Sequence, residues 1–341
     1  MNRSIAWQLW AIGALLPIAM IVTGDYGRYD FAAFWVAALQ AASGHSAEIY
    51  NTAATQAYAD RFGLGPATIF PYPPHALLLF LPVALLDYIP AYLAWDLVGA
   101  AFFAWCARPW WPKGLPLGLA ILTPAAIICL DFGQTGLFFG GLWLLAFRGR
   151  WASVALLSFK PHLGILSALT LRNWPAFARA AALVGALVGA SLVLFGPDLW
   201  LKFVDQAFRQ SADIGVRKRW LFAGVTPAIG YGFIGWLPFA LAGGLLLARR
   251  LNVFTAATAS FLISPYGFHY DMTVACLGFG IIAYLHWGAM PAKHRIPVAL
   301  GFLAPVIASA GAWWVPPILL WALWAQTHYD ISDEIYAVSR E

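Results

Sequence analysis

The chain has 341 residues, of which 62% are hydrophobic and 10% are charged, and its formal net charge is +5. Soluble domains carry about 25% charged residues, so this chain lacks the polar surface of a water-soluble globule. Its long apolar runs do not alternate with polar residues as barrel strands do, and we therefore predict an all-α, polytopic transmembrane helical bundle. In such a protein the positive charge reports orientation, and no nucleic-acid partner is expected.

The first apolar run, 5–23, is close to the roughly 20 residues that span a bilayer, and we interpret it as an uncleaved signal anchor. Later runs are often short or contain Pro or Gly, which predicts broken or re-entrant helices that line cavities. No repeat or linker is seen, so we predict a single membrane domain over 1–341. The later runs are 74–86, 90–107, 115–130, 136–147, 151–171, 176–195, 222–247, 253–264, 272–288 and 297–325.

Lys and Arg in short loops mark the cytoplasmic side of a membrane protein. Placing the basic clusters inside predicts an outward-facing first loop at 24–73 and a second outer loop at 196–221. Two runs fit this scheme poorly. Run 74–86 and the next one are split at 87–90, so one piece is expected to be re-entrant or interfacial. Each half of 151–171 reaches only ~14 Å, which predicts a turn at mid-depth in a protein-lined cavity.

The polar residues of the apolar regions fall on the predicted outer side, and this one-sided clustering is typical of a site. Asp30, directly before "FAAFWVAAL", is our candidate catalytic base, because a carboxylate can accept a proton from a hydroxyl nucleophile. The alternative is a helix-capping or loop carboxylate. Asp25 is a rival base, but its place at the end of the first run is more typical of a boundary residue.

Three motifs supply candidate substrate-binding residues. "FPYPPH" (70–75) offers Tyr72 and His75 to a cavity, or simply starts an interfacial segment. "GQTG" (133–136) offers Gln134, whose amide suits sugar hydroxyls, or is a polar turn. In "SFKPHLG" (158–164) a lysine stands in an apolar run with a histidine two residues on. A buried lysine must be paired or serve an anion such as phosphate, unless it extends to the interface. The lysine of this motif is Lys160, and the histidine two residues later is His162.

The last motif, "SPYGFHYD" (264–271), offers His269 and Tyr270 to a phosphate or a substrate hydroxyl, with an ordinary interfacial histidine as the alternative. The basic stretch 202–219 contradicts the positive-inside pattern if it lies outside. We interpret Arg217, Lys218 and Arg219 as meeting an anion at the membrane face, or else as solvated charges. An amphipathic interfacial helix is predicted for 199–210, with Leu199, Phe203 and Ala207 on one side.

The ordered motifs "YDFAAFWVAALQAASGHSAEIYN", "FPYPP", "GQTGLF", "FKPH" and "SPYGFHYD" resemble glycosyltransferase family 87, membrane enzymes of the GT-C type, over about 25–271. The resemblance implies inverting transfer from a polyprenyl-phosphate sugar on the outer face of the membrane. It places the family's base on Asp30 and its late histidine on His269. The chain departs from the family at Phe268 and Tyr270, where Trp and a second histidine are common, and at Asn51, where Asp is common.

We therefore predict a bacterial inner-membrane glycosyltransferase that moves a mannose-like sugar from a polyprenyl-phosphate donor to a lipid or glycan acceptor. Its active site is expected to face the periplasm. Neither a cofactor nor a metal site is predicted, because no Cys/His spacing indicates one. The alternatives are a transporter or flippase for a phosphorylated lipid or sugar, an enzyme that moves a phosphate-bearing headgroup, and a non-catalytic scaffold.

Overall fold

A computed structural model describes residues 4–23, 29–65, 70–217, 232–264 and 267–329. Within these ranges the regular structure consists of α-helices and short 3₁₀ helices, with no β-strand, as predicted. Helix α1 (Ser4–Thr23) is the apolar N-terminal run. Its side contacts helices from the second half of the chain, so the N-terminus is part of the bundle.

The predicted first outer loop contains two helices, α2 (Tyr29–Ala42) and α3 (Thr52–Arg61). Helix α2 buries most of its "FAAFWVAA" segment and so belongs to the hydrophobic core. Helix α3 is capped by Asn51, whose side-chain oxygen accepts a hydrogen bond from the Ala54 backbone amide at 3.1 Å. Asparagine and aspartate cap helices about equally well, so Asn51 caps α3 as an aspartate at this position would.

The 74–107 region is divided as the sequence predicted. Residues 74–85 form only short pieces, two 3₁₀ helices around α4 (Leu77–Phe80), and they pack on α2. After the break at Asp87 comes α5 (Tyr88–Ala107), which is long enough to cross a membrane. The first piece therefore packs on α2 and forms no continuous helix of its own.

The middle of the chain is also broken. Helices α6 (Pro124–Phe132) and α7 (Gly136–Ala146) are joined by a tight turn, and the 151–171 run splits into α8 (Trp151–Leu156), α9 (Pro161–Gly164) and flanking 3₁₀ helices. The two halves of this run pack against each other. Pro161 occupies the first position of α9, where its missing N–H costs nothing, so the chain turns at Lys160.

Longer helices follow. Run 297–325, predicted as one segment, is two helices separated by residues 311–314, because Pro316 and Pro317 favour a helix start and not a continuous interior. Of the three residues predicted to share one side of α11, Leu199 is buried, Phe203 is partly buried and Ala207 is exposed. The remaining helices are α10 (Trp174–Phe195), α11 (Pro197–Arg217), α12 (Gly232–Arg249), α13 (Val253–Ile263), α14 (Thr273–His286), α15 (Ala292–Ala310) and α16 (Val315–Gln326).

Helix length correlates with position in the bundle. Among the described residues, three helical stretches are long and apolar enough to cross a membrane, Ile5–Thr23, Tyr88–Trp110 and Trp174–Phe195, and most of their residues are not buried. In contrast, α13 and α14 are short and almost completely buried. The long helices therefore lie at the periphery, and the short helices form the interior.

We expect Gly136→Ala to destabilise the protein by about 1–3 kcal/mol, because its added methyl group would collide with the carbonyl oxygen of Tyr270. Thermal unfolding in detergent would measure the loss. Gly185→Ala is the matched control, since nothing lies within 4 Å of the methyl group there. Equal melting temperatures for the two variants would contradict the close approach of α7 to the 269–271 turn.

Candidate active site

Asp30 lies in the first turn of α2 and is half-buried. The Gln134 side-chain amide donates a hydrogen bond to the Asp30 Oδ2 atom at 2.9 Å. The N-terminal end of a helix also favours a negative charge. Asp30 is therefore a carboxylate held in one orientation by a side chain 104 positions away in sequence.

Gln134 reaches Asp30 because α6 ends just before it. Gly133 adopts the left-handed conformation, with φ of +60°. The backbone N–H of Gln134 then donates a hydrogen bond to the Cys129 carbonyl at 2.9 Å. This is the common glycine-terminated helix end, in which the chain turns sharply away from the helix axis. The Gln134 carbonyl also accepts a bond from Trp95 Nε1 at 3.4 Å, which ties the turn to α5.

Tyr72 connects this turn to the rest of the site. Its hydroxyl lies 2.8 Å from Thr135 Oγ1 and 3.5 Å from Gln134 Oε1. The Tyr72 ring also contacts a cation, because the Lys160 ammonium lies 5.2 Å from the ring centre. Tyr72 thus lies between the predicted base and the predicted phosphate-binding lysine.

Lys160 is paired inside the protein. Its Nζ atom lies 2.6 Å from Asp271 Oδ1, and the two side chains are only 3% and 1% exposed. The Tyr270 ring lies on another side, with its centre 5.4 Å from the ammonium group. The lysine is therefore enclosed by one carboxylate and two aromatic rings, and direct phosphate binding would require it to exchange Asp271 for the ligand.

His269 is also buried, and its ring meets the edge of Phe132 at 5.7 Å. Its Nδ1 atom has no hydrogen-bond partner among the described residues. The ring borders a cavity of about 10 Å³ that Asp131 and Ser309 also line. A cavity of that size holds about one water molecule. His269 is thus beside the site and lines a small cavity whose walls are mainly apolar.

The two other histidines predicted to bind substrate lie near Lys160. His75 Nε2 is 3.0 Å from Ser158 Oγ, and its ring stacks on Trp200 with the ring centres 5.7 Å apart. His162, in α9, is half-buried and close enough to Lys160 to interact with its charge. Both predicted residues are therefore grouped around the turn that carries the lysine.

The basic run at the end of α11 is only partly described. Arg217 is the last residue of that helix, but its side chain lies outside the described set, and Lys218 and Arg219 lie outside the described residues altogether. Their predicted contact with an anion stays a prediction. The first half of α11 does lie against the site, because Trp200 contacts His75 and Phe203 contacts Tyr50.

Some residues of the site were not assigned a role from sequence. Asp271 is the counter-ion of Lys160, and the only signal for it was that a lysine in an apolar run needs a partner. Tyr50 donates a hydrogen bond from its hydroxyl to the Tyr72 carbonyl. Burial raises the pKa of Tyr50 well above its ordinary value, so the hydroxyl remains a donor at neutral pH.

The described residues contain no group of three or more His, Cys, Asp or Glu side chains that could hold a metal ion. What the site offers instead is an oriented carboxylate, an enclosed ion pair and several buried hydrogen-bonding groups. This set suits proton removal from a hydroxyl and recognition of a polar ligand within an apolar bundle.

The family model of glycosyltransferase family 87 matches residues 70–265, more than half of the chain. The chain belongs to glycosyltransferase family 87. No curated protein and no solved structure matches it. The family resemblance inferred from the motifs is thereby confirmed. The protein is a membrane glycosyltransferase, which favours the enzymatic interpretation over a transporter or a scaffold.

The matched range contains Tyr72, Gln134 and Lys160, whereas Asp30 lies before it and Asp271 after it. In this glycosyltransferase each outlying carboxylate bonds directly to a matched residue: Gln134 donates to Asp30, and Lys160 donates to Asp271. The site is therefore one continuous set of contacts, although the family match covers only its centre.

We expect Lys160→Met and Asp271→Leu each to destabilise the fold by about 3–5 kcal/mol, because each leaves a buried charge without its partner. The double variant, which replaces the pair with apolar side chains, should be more stable than either single variant. Denaturation of the purified protein in detergent measures all three. Losses that simply add in the double variant would show that the two residues do not act as a pair.

Proposed function

We propose that the enzyme transfers a mannose-like sugar from a polyprenyl-phosphate donor to a lipid or glycan acceptor, with inversion at the anomeric carbon. Family membership supports the reaction class. The lipid donor, the sugar and the acceptor follow from the resemblance to the family's polyprenyl-phosphate-dependent members. The outer face of a bacterial inner membrane is the proposed location.

The observation that carries this proposal is the hydrogen bond from Gln134 to Asp30. A general base must present its oxygen to the reacting hydroxyl in a fixed direction, and a carboxylate held at one oxygen meets that requirement. In the proposed reaction Asp30 accepts the proton of the acceptor hydroxyl as the hydroxyl oxygen attacks the anomeric carbon. The glycosidic oxygen leaves with the electron pair as part of the polyprenyl phosphate.

A phosphate leaving group is already a stable anion, so this mechanism needs no acid to protonate it. Positive charge and hydrogen-bond donors near the phosphate are enough to stabilise it. Lys160 is enclosed, so we propose that it acts mainly by fixing the Tyr72 and Tyr270 rings that border the site. His162, half-buried beside that lysine, is the proposed direct phosphate contact, together with His269 and the basic residues Arg217, Lys218 and Arg219.

Tyr72, His75 and Tyr270 complete the proposed substrate-binding set. Their hydroxyl groups and imidazole nitrogens suit sugar hydroxyls. Gln134 retains a direct role in this proposal as well, because an amide that donates to Asp30 still has its carbonyl oxygen near the Tyr72 hydroxyl. Membrane lipids surround the site, and no nucleic acid takes part.

We expect Asp30→Asn to lower sugar transfer by at least ~100-fold, because an amide accepts a proton far less readily than a carboxylate. The assay uses purified protein with a polyprenyl-phosphate sugar and a lipid acceptor extract. Asp87→Asn is the matched control, since Asp87 is exposed just before α5 and its side chain caps no helix.

Folding of both variants is checked by their elution and thermal unfolding in detergent. A folded Asp30→Asn enzyme with the turnover of the Asp87→Asn control would remove Asp30 from the role of base. If the folded wild-type protein itself transfers no sugar from any polyprenyl-phosphate donor, the proposed donor class is wrong.

The proposed orientation has its own test. A cysteine at Asp87, at the site end of α5, should react with an impermeant maleimide added to intact cells, and a cysteine at Arg150 should not. Both positions are exposed, and the native cysteines Cys106, Cys129 and Cys276 are buried, so background labelling is low. The reverse labelling pattern would place the site on the cytoplasmic side.

A further inference from the structure

A groove runs along the outside of the bundle between α12 and α16. It encloses about 440 Å³ and is lined mainly by apolar side chains, with Arg249 among them. Leu245 is 70% exposed and Trp321 is 42% exposed, so the groove opens outward and is not part of the packed core. In a membrane protein this surface faces lipid.

One end of the groove is cationic. Arg249 is the last residue of α12, is exposed, and forms no ion pair with any described residue. Its neighbour Arg250 instead donates to the Thr327 carbonyl at 3.3 Å. The groove therefore combines an apolar length with one guanidinium group that is accessible at its end. Trp324 also lines the groove, and tryptophan is enriched where a membrane meets water.

This end of the groove is far from the candidate active site. Helix α13 starts at Val253, directly after the two arginines, and its 11 residues span ~16 Å before the chain reaches the 269–271 turn. Helix α7 shows the same polarity: it starts beside Gln134, and near its other end Trp143 donates to the Val253 carbonyl at 3.0 Å. Arg249 therefore lies toward the opposite end of the bundle from Asp30.

We propose that this groove binds an anionic phospholipid, with an acyl chain along Leu245 and Trp321 and the headgroup phosphate on Arg249. Guanidinium groups match phosphate geometry in two-point hydrogen bonds, and a cation at a membrane surface attracts anionic lipid. The bound lipid belongs to the leaflet opposite to the active site. The site is independent of the sugar donor and of the proposed function.

The test is lipid retention by the purified protein in native mass spectrometry. The protein is taken from nanodiscs that contain equal amounts of phosphatidylglycerol and phosphatidylcholine with the same acyl chains. The wild type should retain phosphatidylglycerol in preference to phosphatidylcholine. Arg249→Gln should reduce that preference about fivefold, the effect expected for one basic residue at a membrane surface.

Two further variants separate the groove from general surface charge. Arg172→Gln removes an exposed arginine that precedes α10 and should leave the preference unchanged. Leu245→Trp fills the groove without changing the charge and should reduce the retained lipid. Equal effects of Arg172→Gln and Arg249→Gln, equal retention of the two lipids by the wild type, or an unaltered amount of lipid in Leu245→Trp would each overturn the proposal.

Discussion

The buried ion pair between Lys160 and Asp271 determines how the centre of this enzyme is assembled. It joins the turn of the 151–171 segment to the turn that precedes α14, two places 111 positions apart in sequence. Removing two charges from water is costly, and the cost is offset here by a short contact and by two aromatic rings beside the ammonium group. The rings of Tyr72 and Tyr270 are fixed as a result, and both border the polar centre of the molecule.

From that pair the contacts lead to Asp30 in a few steps. Tyr72 lies on the lysine, its hydroxyl meets Thr135 and Gln134, and Gln134 donates to the carboxylate. Each link uses a side chain that stands at the end of a helix or in a turn. The helices therefore act as supports, and the chemistry is concentrated where they stop. This arrangement keeps polar groups together in a chain that has few of them.

Sequence reasoning was accurate about where polar groups would occur and less accurate about their partners. The breaks near Asp87 and Lys160 were predicted because aspartate and the Lys-Pro pair interrupt apolar runs. The helix over 29–42 was hidden within a predicted loop, since 14 residues are too few to register as a span. The division at 311–314 was missed because the flanking prolines lie within one apolar run.

Partners are harder to predict because they depend on packing between distant segments. Nothing local to Lys160 identifies Asp271, although the need for a counter-ion follows from burial alone. Gln134 was predicted to bind a sugar hydroxyl. Its bond to Asp30 depends on the turn at Gly133, which directs the chain toward α2, and the sequence alone does not show that direction. Roles that depend on one residue's chemistry are visible in sequence, and roles that depend on a neighbour are not.

The division between long outer helices and short inner ones affects how the enzyme experiences its membrane. Helix α10 has 22 residues and is ~33 Å long, close to the ~30 Å of a hydrocarbon core, whereas α14 has 14 residues and is ~21 Å long. A change in bilayer thickness acts on the helices that touch lipid, which respond by tilting. The interior helices α13 and α14 are shielded from that stress, so the packing between them is insulated from the lipid composition of the surrounding bilayer.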